Sequence, residues 1–90
     1  MSEQAVFDTL KYHIKVTKGG THCYYNNAGE LHRDDGPAVL WADGTKLWYQ
    51  NGLRHRTDGA AVEWPSGNKA WYINGEPLTE AEFNQAVKAL

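Results

Sequence analysis

Ninety residues carry nine basic and eleven acidic side chains, a formal charge of −2, and that balance gives no global pull toward nucleic acid or an anionic membrane. Cys23 stands alone, so an internal disulfide is excluded and a reducing cytoplasm is the expected setting. No apolar run approaches the ~20 residues of a membrane span, and residues 1–10 lack the basic flank and long apolar stretch of a signal peptide. One small domain is expected over 1–90. Four Trp, five Tyr and two Phe must supply much of its core, since each aromatic removes about 150–250 Å² from water.

Along the chain, Ala5, Val6 and Phe7 suit either a short helical turn or an extended lead-in. Leu10, Tyr12, Ile14 and Val16 then alternate with Lys11, His13, Lys15 and Thr17, the period of a half-buried strand with one wet face. Lys18-Gly19-Gly20 reads as a turn and Thr21 to Tyr25 as the returning strand.

From there the chain repeats itself. Leu47-Trp48-Tyr49-Gln50-Asn51-Gly52 returns as Ala70-Trp71-Tyr72-Ile73-Asn74-Gly75, and His32-Arg33-Asp34-Asp35-Gly36 returns as His55-Arg56-Thr57-Asp58-Gly59. Trp41, Gly44, Trp48 and Tyr49 reappear 23 positions later as Trp64, Gly67, Trp71 and Tyr72. Such self-similarity divides the domain into an N-terminal segment with a degenerate hairpin (1–23), a first repeat (24–46), a second (47–69), a partial third (70–78) and a tail (79–90). Each unit is expected to hold two strands, near 38–41 and 46–50, then near 61–64 and 69–73. Asp43-Gly44 and Ser66-Gly67 read as two-residue hairpin turns, with Asn51-Gly52 and Asn74-Gly75 at the opposite end. Pro65 lacks an N–H donor where the ladder is ending. Leu40 gives way to Glu63 while Val39/Val62 and Trp41/Trp64 persist, which predicts valine and tryptophan toward the core and position 40/63 toward water.

The tail predicts a helix. Thr79-Glu80-Ala81-Glu82 fits a capping box, and Leu78 with Phe83 a hydrophobic staple. Phe83, Ala86, Val87 and Leu90 form one apolar stripe. A helix this short needs a packing partner, either a sheet face or the open end of the repeat stack. The expected fold is therefore mainly β (β+α), an antiparallel meander of repeated β-hairpins with one C-terminal helix.

The run Trp48 to Ala61 resembles a repeat close to W-Y-x-N-G-x-x-H-R-x-D-G-P-A, a divergent relative of the MORN repeats found in small bacterial and bacteriophage proteins. His32 to Ala38 fits the pattern fully, and the second copy departs at Ala60, where proline is usual. The resemblance spans roughly Tyr24 to Leu78. It implies a β-hairpin array encoded by a phage or prophage accessory gene, acting in the host cytoplasm. Its implied role is inhibition of a host bacterial protein, in defence or regulation, by direct binding.

His32, Arg33 and Asp35, and again His55, Arg56 and Asp58, admit an acid/base reading with an anion clamp. An enzyme needs its catalytic set once, however, and these residues recur with every unit. They read better as a structural clamp, the aspartates bonding turn backbone and the arginines lying over aromatic rings or pairing across units. His22, Cys23, His32 and His55 offer ligand types without any metal-binding spacing. Cys23 falls at the Leu47/Ala70 strand position, where a small buried thiol is expected. No P-loop or dinucleotide pattern is present, and no cofactor or metal is implied.

Trp48, Tyr49, Trp71 and Tyr72, flanked by Arg54 and Arg56, supply the residue types that dominate protein interfaces. The expected function is non-enzymatic binding of another protein. Two alternatives remain: a ligand-sequestering or nucleic-acid-binding surface of Arg33, Arg54, Arg56 and the aromatics, and an enzyme built on a repeat histidine, His32 or His55. An open sheet also keeps unpaired edges through which a homodimer would form.

Overall fold

The computed structural model describes residues 12–90, so the lead-in expected around Ala5 to Phe7, and Leu10 with it, lies outside the described residues. The described chain is an antiparallel β-meander closed by a helix. Its strands are β1 (His13–Val16), β2 (His22–Tyr25), β3 (Val39–Leu40), β4 (Lys46–Leu47), β5 (Tyr49–Gln50), β6 (Leu53–Arg54), β7 (Val62–Glu63), β8 (Lys69–Ile73) and β9 (Glu76–Leu78), followed by helix α1 (Glu80–Lys88). One sheet runs β1-β2-β3-β4-β7-β8-β9, and β5 with β6 forms a separate two-stranded sheet.

Trp48 is the residue that splits them. Its N–H donates to the Ala61 carbonyl, toward β7, while its own carbonyl accepts the His55 N–H, toward β6. The single strand expected over 46–50 therefore becomes two short ones with different partners. The last unit has no further repeat to meet, and β8 stays continuous, pairing with β7 and then β9.

Asn51 and Asn74 adopt positive φ (50° and 49°) and are followed by Gly52 and Gly75 at 84° and 85°, the left-handed pair a two-residue hairpin turn requires. At the other end the expected two-residue turns are three residues long. Trp41 and Thr45 close a loop over Ala42-Asp43-Gly44, with Gly44 N–H bonded to the Trp41 carbonyl, and Trp64 and Asn68 do the same over Pro65-Ser66-Gly67. Gly44 and Gly67 take φ of 97° and 94°, as the bulge position of a three-residue hairpin loop demands. Thr17 to Thr21 and Asn26 to Glu30 repeat the same bond pair. The degenerate first hairpin thus keeps the loop geometry of its better copies.

Strand register sets two faces. On one, Cys23, Val39, Leu47, Val62 and Ala70 stand opposite one another across five strands. Val39, Leu47 and Val62 are buried there, with Cys23, Leu31, Tyr49 and Tyr72 packed half-buried around them. One residue along, the opposite face carries the row Tyr24, Ala38, Trp48, Ala61, Trp71, tied by bonds such as Tyr24 N–H to Ala38 O and Trp48 N–H to Ala61 O. Ala38 and Ala61 are 0% exposed. Only a methyl fits between the large rings of that row.

Three expectations need correction. Trp41 and Trp64 share the valine face by register but are 45% and 41% exposed. They sit at its open rim, beside the hairpin loops, where no second layer among the described residues covers them. In β1 all four residues are exposed, with Ile14 at 57% and Val16 at 54%, so the alternation there does not mark a buried face among the described residues. Leu90 is 81% exposed, beyond the end of α1.

Helix α1 has both halves of its capping box: Thr79 Oγ1 accepts the Glu82 N–H, and the Glu82 carboxylate accepts the Thr79 N–H. It packs on β8 and β9 and buries Phe83. Position 79 is where the repeat would place a third arginine after Arg33 and Arg56. The helix begins there instead and covers the end of the stack. No described helix is long and apolar enough to cross a membrane.

Candidate functional site

The loops after β2 and β6 carry the recurring histidine, arginine and aspartate. In the first, the Arg33 guanidinium lies 4.0 Å from the Tyr24 ring centroid. Its Nε donates to Asp35 Oδ1 at 3.2 Å and its Nη1 to the Pro37 carbonyl at 3.2 Å. In the second, Arg56 lies 3.9 Å from the Trp48 ring, with Nε on Asp58 Oδ1 at 2.8 Å and Nη1 on the Ala60 carbonyl at 3.0 Å. Arg56 Nη1 also reaches Glu63 at 3.1 Å. Each arginine therefore clips its own loop down onto an aromatic earlier in its own unit, Tyr24 in β2 or Trp48 between β4 and β5.

The glycine of the motif follows from that geometry. A Cβ on Gly36 would meet Arg33 Cζ at 3.0 Å, and one on Gly59 would meet Arg56 Cζ at 2.8 Å. A side chain at either position would crowd the guanidinium and push it from its place. The aspartates bond chiefly to arginine rather than to turn backbone. Arg33 holds the Asp35 carboxyl below the usual range, and Arg56 does the same for Asp58.

The histidines reach across units. Asn51 N–H donates to His32 Nδ1 and Asn74 N–H to His55 Nδ1, each at 3.0 Å. His32 Nε2 lies 3.1 Å from Asp34 Oδ1, so the network assigns its proton to Nε2. Each histidine thus anchors the Asn-Gly turn of the following unit. Backbone bonds run alongside: Gly52 N–H to Leu31 O and Gly75 N–H to Arg54 O, both 2.8 Å.

The six aromatic and arginine residues expected at an interface fall on two faces. Trp48 and Trp71 lie with Arg56 on the alanine face; Tyr49 and Tyr72 lie with Arg54 on the valine face, and all six are half-buried. Arg54 Nε donates to the Tyr49 hydroxyl at 3.2 Å and its Nη1 to the Tyr72 hydroxyl at 3.4 Å. Arg33 and Arg56 have carboxylate partners, whereas Arg54 has none among the described residues. Cys23, in β2, is free and half-buried. Among the described residues no three His, Cys, Asp or Glu side chains gather as metal ligands.

Among the described residues the exposed aromatics are Trp41 and Trp64, which sequence patterning placed inside. Their exposure had a faint signal: each directly precedes a hairpin loop, where a sheet narrows and its face opens. No family model matches the chain, and no curated protein or solved structure matches it either.

Proposed function

We propose that this chain is a non-enzymatic binding protein that engages another protein through the rim of its valine face. The supporting observation is the division of labour among its polar and aromatic residues. The recurring histidines, arginines and aspartates are committed to bonds within and between units. Trp41 and Trp64, one repeat apart, stand exposed beside Arg54. Interface hot spots favour tryptophan, tyrosine and arginine in such clusters. The resemblance to repeats of small bacterial and bacteriophage proteins supplies the partner class: a host defence or regulatory protein in the cytoplasm, held inactive by occlusion.

Affinity capture from a bacterial lysate, read by mass spectrometry, tests this. A discrete partner retained by the wild-type chain is expected to be lost from Trp41→Ala/Trp64→Ala under conditions where the variant's urea unfolding curve shows it still folded. Equal recovery with the double variant would refute the rim as the contact.

A further inference from the structure

We infer that the groove beside Trp71 is a seat for an arginine side chain of a partner protein, built like the two seats that the chain's own arginines fill. The first two units set the pattern: Arg33 lies 4.0 Å from the Tyr24 ring and Arg56 3.9 Å from the Trp48 ring. In the third unit Trp71 takes the place of Trp48, but Thr79 stands where the arginine would be and caps α1 instead. Among the described residues no cation lies over Trp71.

The missing arginine leaves a groove. One unit earlier, the loop of Arg33, Asp35 and Gly36 shares a groove with Trp48, and Arg56 lines it too. The equivalent groove joins Arg56, Asp58 and Gly59 to Trp71 around a cavity of about 540 Å³, with Glu80 and Phe83 of α1 completing the lining. Phe83 lines it without a ring contact to Trp71. Charge there favours a cation. Three carboxylates, Asp58, Glu63 and Glu80, line the groove against two bases, Arg56 and Lys69. Asp58 and Glu63 share Arg56, Lys69 stands opposite Glu63 in the β7–β8 register, and Glu80 has no ion pair among the described residues. An indole and a carboxylate in one groove suit guanidinium better than ammonium, because guanidinium is planar, stacks and bonds through a fork. The occupant comes from a different protein. The chain has three arginines, and Arg33, Arg54 and Arg56 are all bonded within it, so a second copy has none to offer. The groove belongs to the alanine face, opposite the Trp41–Trp64 rim, and is a contact separate from it.

The test titrates the whole chain with N-acetylarginine methylamide, its citrulline and lysine counterparts, and free arginine, read by the indole N–H signals of the four tryptophans in NMR spectra. The arginine amide is expected to bind weakly and move Trp71, while Trp48, already under Arg56, stays in place. The citrulline compound, neutral and nearly the same shape, should bind at least about 5-fold more weakly, and the lysine compound about 3-fold. Glu80→Gln should weaken the arginine amide about 3-fold and leave citrulline unchanged, a selectivity that a merely helix-stabilising Glu80 would not produce. Trp41→Ala/Trp64→Ala, where folded, should bind the arginine amide as the wild type does, so failure of the seat and failure of the rim are separable. No response at Trp71, equal responses of Trp48 and Trp71, or equal binding of citrulline and arginine would each overturn the seat. Free arginine binding about 10-fold tighter than the amide would overturn it too, marking a site for the amino acid itself.

Discussion

At the residue scale, the His-Arg-x-Asp-Gly motif is explained by contact geometry. Arginine covers an aromatic ring, aspartate fixes the guanidinium, and glycine leaves the guanidinium room to lie close. The motif's recurrence was legible in the sequence, and recurrence pointed to joinery rather than catalysis. The aspartates bond backbone as a turn Asp ordinarily does, but arginine is their main partner, and nothing in the spacing reveals an arginine folding back over the glycine. The ion pairs set an acid dependence. Asp35 and Asp58 have folded-state values below their unfolded ones. Their contribution is complete above the unfolded carboxyl value of about 4 and is lost as pH falls through the folded value. Both carboxylates face water, so the slope is shallow. Urea midpoints measured from pH 7 to pH 2 should show Asp35→Asn/Asp58→Asn slightly less stable at neutral pH, with the gap closing below about pH 4. A gap that persists to pH 2 would mean the ion pairs are not its source.

At the scale of elements, the helix and the Asn-Gly turns were readable because their determinants are local: a capping box and left-handed positions. The strand break at Trp48 was not, since it depends on which neighbour each backbone group finds. Burial of Trp41 and Trp64 was misjudged for a related reason. Alternation names the face a residue occupies and says nothing of whether that face is covered there. The alanine row makes its own demand. Ala38 and Ala61 sit between Tyr24, Trp48 and Trp71 with no exposed surface. Ala61→Leu, which forces three further carbons among those rings, should cost about 1–3 kcal/mol, measurable as a lowered urea midpoint. Leucine at a solvent position such as Gln85 should leave the midpoint nearly unmoved, and equal effects at both sites would contradict the packing described.

At the scale of the molecule, a slab only 16 Å thick has room for one sheet with loops and a helix laid over it. Three buried side chains, Val39, Leu47 and Val62, make up its central cluster. With so little apolar burial available, the polar clips that fold each loop onto its own unit carry a large share of cohesion. The central claim is that the repeated arginines serve this purpose. It is tested most directly by Arg33→Lys/Arg56→Lys, which keeps both charges but removes the planar guanidinium from the ring and its fork of bonds. Urea unfolding of this variant should show a loss of about 1–3 kcal/mol, while capture of the partner under native conditions stays at the wild-type level. Unchanged stability together with lost capture would place those arginines in the binding surface and contradict the account.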